Sequence, residues 1–163
     1  VASVQIIVNI FRRKPLEKVL PAAQEAGVGI IARVPLASGL LTGRYDDSTT
    51  FPENDHRNFN RDGAAFDVGE TFAGVPYSTG VLAARRVAVV AGREAPEATT
   101  AQVALRWVID QPGVTTVIPG ASRPEQARAN AAAEALPPLS EDAQRALQAI
   151  YDEDIRPHVH HRW

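Results

Sequence analysis

The sequence has 163 residues, with no cysteine and no methionine. The absence of cysteine excludes disulfides, thiolate metal sites and a cysteine nucleophile together. The absence of methionine leads to one of two expectations: a GTG start codon read literally as Val1, or a sequence that begins inside a longer protein. Long apolar runs are also missing. None approaches the roughly 18 residues that a membrane-spanning helix needs, and no charged segment leads into an apolar stretch at Val1. An excess of charge of either sign is missing too. The 17 basic and 19 acidic residues give a net charge of −2, so no footprint for nucleic acid or an anionic membrane is expected. A cytoplasmic protein is the expectation. Lysine is scarce, and nearly all of the basic residues are arginine, which together with abundant alanine matches a GC-rich coding bias.

What is present is a globular composition, with 45% hydrophobic and 22% charged residues. Val4 to Phe11 is apolar and β-branched for most of its length and predicts a buried strand. Pro15 opens a helical stretch in which Leu16, Val19, Leu20 and Ala23 recur at helical spacing, and Gly27 closes it. Val28 to Val34 predicts a second buried strand. This strand–helix–strand order is a parallel crossover unit. From Pro35 to about Tyr77 the periodicity dissolves into a long loop, a length that usually signals function. Helical spacing returns over Val81–Val90 and Ala101–Ile109, with Thr99 or Thr100 as N-cap of the second. Val114 to Ile118 predicts a third strand. Ser122 to Glu125 reads as a capping box before another helix, and a last helix starts near Ser140. The class is α/β with parallel strands, but three strands are too few for a complete domain of that kind.

Two loops that follow strands are the candidate site, because ligands of parallel α/β proteins bind beyond the C-terminal strand ends. One runs from Arg33 to Arg44 and the other from Ile118 to Gln126. The second leads into a helix N-terminus, where free N–H groups and the dipole favour an anion. Gly120 would let backbone approach a ligand, and Ser122 and Arg123 can donate to phosphate. Arg44 and Arg57 add cations from the long loop. These groups point to a ligand carrying more than one phosphate. The alternative is that Gly120 and Ser122 only make a capped turn.

Six stretches carry a resemblance: VQIIVNIF, GVGIIARVPLASGLLTGRY, FPENDHRNFNR, AQVALRWVID, VTTVIPGASRPEQARAN and IRPHVHHRW. They run from residue 4 to the end, and together they resemble the C-terminal half of the aldo-keto reductases, NADP-dependent oxidoreductases built on a (β/α)8 barrel. The resemblance implies that the three strands are strands six to eight and that residues 1–163 form the NADP-binding part of the barrel. It implies that Gln5 bonds the nicotinamide carboxamide. Pro35, Leu36, Ala37 and Ser38 would line the pyrophosphate, with Arg44 and Arg57 as countercharge. Gly120, Ser122 and Arg123 would hold the 2′-phosphate and adenosine ribose, and Gln126 and Asn130 the adenine side. Arg33 stands where many members carry an aromatic that stacks on nicotinamide; a planar guanidinium can also stack.

The family's catalytic Tyr, Lys, Asp and His come from the first four strands, and no motif here matches them. Tyr45, Tyr77 and Tyr151 lie outside the matching pattern, and the lysines are Lys14 and Lys18. The expectation is therefore a fragment of an NADPH-dependent reductase of aldehydes and ketones that carries cofactor loops without catalytic residues. Two alternatives stay open: a non-catalytic NADP-binding module, and a half-barrel that a partner polypeptide or self-association through open sheet edges completes. Other features carry less. His158, His160 and His161 lack a spaced further metal ligand, and no metal site is expected. Gly27-x-Gly29 precedes a strand, so it is no dinucleotide fingerprint, and Gly39-x-x-x-Gly43 lacks the Gly-Lys-Ser/Thr of a P-loop. Trp107 and Trp163 read as packing residues.

Overall fold

The computed structural model describes residues 1–162, so Trp163 lies outside the described residues. Three strands, β1 (Ser3–Ile7), β2 (Gly29–Arg33) and β3 (Val114–Ile118), form a parallel sheet in that order. Helix α1 (Pro15–Glu25) makes the crossover between β1 and β2. Pro15 stands in its first turn, where a missing N–H costs nothing. Gly27, at φ +65°, turns the chain back toward β2.

The long segment after β2 folds into short turns: Ala37–Thr42, the single helical turn α2 (His56–Phe59), Val68–Glu70 and Phe72–Gly74. Helices α3 (Tyr77–Glu94) and α4 (Thr100–Ile109) follow, then β3, α5 (Pro124–Ala131), α6 (Glu141–Ile150) and α7 (Arg156–Val159). A π-helical turn over Tyr151–Ile155 joins the last two. Thr99 caps α4 through a reciprocal capping box with Gln102, and Ser140 caps α6 by accepting from the Ala143 N–H.

Two sequence expectations change. The first strand ends at Ile7, not Phe11, although Val8, Ile10 and Phe11 are fully buried. Its partner β2 stops at Arg33, so no ladder remains, and Asn9 turns back on Arg12. The capping box at Ser122 is absent as well. Arg123 holds the N-cap position of α5 without a side-chain cap bond, and Ser122 donates its N–H and hydroxyl to Gln126.

The sheet has two unlike faces. Register places Val4 beside Ile30, and Ile6 beside Ala32 and Val117. This face meets the core with Trp107, Val103, Val87 and Leu147, a cluster whose burial is the main stabilising contribution. The other face carries Gln5, Ile31 and Thr116 in one row and Ile7, Arg33 and Ile118 in the next. Here Gln5, Thr116 and Ile118 are exposed, while Ile7 is buried. Each outer strand also keeps one edge without a strand partner among the described residues. No helix among the described residues is long and apolar enough to cross a membrane.

Candidate functional site

A cleft of about 710 Å³ opens at the C-terminal ends of β2 and β3, within the size range of small-molecule sites. The two loops singled out in the sequence meet there. Pro35, Leu36, Ser38 and Arg44 line it from the first, and Gly120, Ser122, Gln126 and Asn130 from the second. Arg57 closes a third side from α2, beside Phe66. Gln5 is exposed on the second sheet face, outside the cleft lining, and Arg33 stands at the end of the central strand on the same face. Ala37 is fully buried beneath the first loop. Arg123 precedes α5, at the cleft's margin in sequence and outside its lining.

The first loop is strained. Val34, Ala37 and Ser38 have φ of +51°, +47° and +55°, a region that L residues with a side chain rarely adopt, least of all β-branched ones. Such conformations persist only when the surroundings over-determine them, and they gather at ligand sites. Here the surroundings are visible. Fully buried Asn9 donates its Nδ2 to the Val34 carbonyl at 2.9 Å. The Ser38 hydroxyl accepts from the Phe72 N–H at 3.1 Å and donates to the Glu70 carbonyl at 3.3 Å. Gly39, at φ +98°, packs under Tyr45, where a Cβ would meet the phenol ring.

The charges divide into engaged and free. Arg57 binds Asp55 through Nε at 2.8 Å and Nη2 at 2.5 Å, and donates to the Tyr45 hydroxyl at 2.6 Å. Its hydrogen bonds hold the Asp55 carboxyl down at about 2. Arg33 grips Glu70 in a bidentate pair of 2.6 and 2.5 Å, which lowers the Glu70 pKa and raises that of Arg33. By contrast, the Arg44 and Arg123 guanidinium groups make no ion pair among the described residues. At the second loop both Ser122 donors converge on one acceptor, the Gln126 Oε1, at 2.8 and 2.9 Å. Asn130 Nδ2 bonds the Gly120 carbonyl at 3.2 Å. A Cβ at Gly120 would meet nothing within 4 Å, so packing within the chain does not require glycine there.

Sequence reasoning missed Asn9, Glu70 and the Asp55 partner of Arg57. Asn9 had a signal, being the polar residue near the end of an apolar run. Of the loop's aromatics, Phe51 and Phe72 turn inward to pack with Tyr45 and Tyr77, while Phe59 and Phe66 stay half-exposed as a pair. Away from the cleft, Trp107 is buried under the Arg13 guanidinium, 4.5 Å from its ring centroid. His160 bonds Glu17 at 2.9 Å and the Tyr151 hydroxyl at 2.7 Å.

Parallel strands alternating with helices, with a cleft at the strands' C-terminal ends, define an α/β protein and are consistent with part of a barrel. The aldo/keto reductase family model matches residues 1–152, and the chain belongs to that family. It is 30% identical over 157 residues to an oxidoreductase of Bacillus subtilis, covering 95% of this chain and 44% of that protein. It is 34% identical over 111 residues to an L-glyceraldehyde 3-phosphate reductase of Escherichia coli, covering 68% of this chain and 30% of the relative. A putative voltage-gated potassium channel subunit beta of Schizosaccharomyces pombe is 36% identical over 119 residues, 72% of this chain and 32% of its own length. Among solved structures, a glycerol dehydrogenase of Gluconobacter oxydans superposes with a TM-score of 0.74 at 24% identity, over 98% of this chain and 43% of its own. That likeness speaks to the fold. The chain thus spans less than half the length of the relatives it matches.

Proposed function

We propose that residues 1–163 are the cofactor-binding part, strands six to eight, of an NADPH-dependent reductase of aldehydes or ketones. The observation that carries this reading is the meeting of the two strand-end loops around one cleft, with Arg44 making no ion pair among the described residues. The donor set fits a phosphorylated dinucleotide. Two Ser122 donors already converge on a single oxygen, Arg44 is a cation with no ion pair among the described residues, and the backbone at Gly120 is open to close approach.

In this reading Ser122, Arg123 and the Gly120 backbone hold the 2′-phosphate and ribose, with Gln126 and Asn130 on the adenine side. The loop of Pro35, Leu36, Ala37 and Ser38 lines the pyrophosphate, and Arg44 is its countercharge. Arg57 belongs to the same wall, but its pairing with Asp55 makes it mainly a brace. Gln5 and Arg33, on one sheet face, take the nicotinamide end. NADPH, when bound, supplies a hydride to the carbonyl carbon. This chain's residues bind and orient; the family's Tyr, Lys, Asp and His match no motif here, so proton transfer falls to residues outside this sequence. A cytoplasmic location belongs to the same reading.

The test is a titration of NADPH by nicotinamide fluorescence against the purified chain and its Gly120→Ala variant. Saturable binding by the chain, weakened several-fold by Gly120→Ala at unchanged melting temperature, is the expected result. No saturable change with the parent chain refutes it.

A second reading is favoured by the partly exposed sheet face and the two edges without a strand partner among the described residues, since such edges pair with other chains. Here a partner polypeptide or a second copy completes the barrel, and the likeness to potassium channel β subunits adds a precedent for association. Gel filtration with light scattering separates the readings: a folded monomer of 17.5 kDa argues against completion by a second copy.

A further inference from the structure

Arg33 and Glu70 are 37 residues apart and meet in front of the sheet. Arg33 is the last residue of the central strand, on the face that carries Gln5, in register with buried Ile7 and exposed Ile118. Gln5 is on the same face, one residue row nearer the strands' N-terminal ends. The Glu70 carboxylate engages both terminal nitrogens of Arg33, a fork-to-fork contact that fixes the guanidinium plane. Both side chains remain about one third exposed, at 33% and 31%, so the pair is reachable by a ligand.

Glu70 is itself firmly placed. Asp67 caps its turn by accepting from the Gly69 N–H at 2.8 Å, and Ser38 ties the Glu70 carbonyl to the strained loop. The charged groups around this point are Arg12, which follows β1, His56 of α2 and Asp67; Arg12 and His56 both lower Glu70, while Asp67 acts on Arg12. Glu70 is the carboxylate in contact with Arg33, so neutralising it would leave the Arg33 charge without that counter-ion beside the sheet end.

We propose that Glu70 is a positioning residue for the nicotinamide end of the site: it holds the Arg33 guanidinium flat and cancels its charge, so that the oxidised, cationic ring is accepted there as well as the neutral reduced one. This rests on the cofactor reading above. An uncompensated guanidinium repels a pyridinium and not a dihydropyridine, so the charge of Glu70 sets the ratio of NADP+ to NADPH affinity. A merely structural contact would move both affinities together.

The experiment is calorimetric titration of NADP+ and NADPH into the chain, Glu70→Gln, and the double variant Glu70→Gln/Arg33→Met. Glu70→Gln is expected to raise the NADP+ Kd relative to that of NADPH by about tenfold, the scale of one largely solvent-screened like charge at a few ångströms. The double variant is expected to bring the ratio back to within about twofold of the parent, because it removes both charges. An unchanged ratio in Glu70→Gln, or no recovery in the double variant, overturns the proposal while leaving cofactor binding intact. No binding of either nucleotide by the parent chain overturns the cofactor reading and this proposal with it. If Glu70→Gln fails to fold, Glu70→Asp keeps the charge but shortens the reach. It is then expected to weaken both nucleotides with the ratio unchanged, and a shifted ratio refutes the proposal.

Discussion

The side-chain amide of Asn9 donates to the backbone carbonyl of Val34 at 2.9 Å, joining the turns that leave two neighbouring strands. The same amide accepts from the Phe11 N–H at 2.9 Å, and Asn9 is fully buried. Asn9 thus takes over where the β1–β2 ladder stops, and it fixes the carbonyl of a residue with φ +51°. Replacing it with leucine leaves the Phe11 N–H without this partner and takes one of two donors from the Val34 carbonyl, which keeps the Ala37 N–H at 3.1 Å. Asn9→Leu is expected to cost about 2 kcal/mol, read as a lower urea midpoint at unchanged slope.

Val34 carries the opposite expectation. A β-branched residue in the left-handed region stores about 1–3 kcal/mol, whereas glycine there costs about 0.5–1 kcal/mol in chain entropy. Val34→Gly is expected to stabilise the chain by about 1 kcal/mol in the same urea experiment. It is also expected to weaken NADPH binding, since the loop would lose its enforced shape. A lower midpoint would mean that the side chain's packing outweighs the backbone strain.

Arg44 and Arg57 look alike in the sequence and differ in the structure. Arg44 has no ion pair among the described residues, while Arg57 is held by Asp55 and Tyr45 and lies 4.6 Å over the Phe51 ring. Arg44→Gln is expected to weaken nucleotide affinity about tenfold, the scale of one charge-assisted hydrogen bond, at little cost in stability. Arg57→Gln is expected to do the reverse, lowering the melting temperature more than the affinity. Paired melting and binding curves decide between them.

The acid limb of stability follows from the same pairs. Asp55 is held at about 2 against an ordinary 3.8, and Glu70 is lowered from 4.5 by Arg33. A depressed folded-state value contributes stability that is complete above the unfolded value and is lost as pH falls through the folded one. Stability is therefore expected to be flat with respect to these groups above about pH 5 and to decline toward pH 2. Asp55→Asn is expected to remove the lower part of that decline and leave the part due to Glu70, measured as urea midpoints across pH.

The three strands and most helices were legible because each is written locally: β-branched runs, Pro15 in a first turn, Gly27 after a last one, and Thr99 before Gln102. The end of β1 was not, because Val8 to Phe11 is apolar enough for a strand and only the partner's departure at Val34 stops it. The meeting of the two strand-end loops followed from strand order. What escaped was pairing at a distance. Nothing near Glu70 in the sequence marks it as the counter-ion of Arg33, and nothing near Arg57 shows that Tyr45 folds back to join Asp55 in holding it. The capping box read at Ser122 failed because Gln126, one residue beyond Glu125, reaches back first.

The central claim is that the loops after β2 and β3 form one phosphate-binding site. Adenosine 2′,5′-bisphosphate tests it most directly, since it carries the 2′-phosphate, one of the two pyrophosphate phosphates and the adenine without the nicotinamide. Calorimetric titration into the chain is expected to show one saturable site that NADPH competes away, with affinity falling as salt rises. Heats that match simple dilution, under conditions where the chain is folded, would contradict the account.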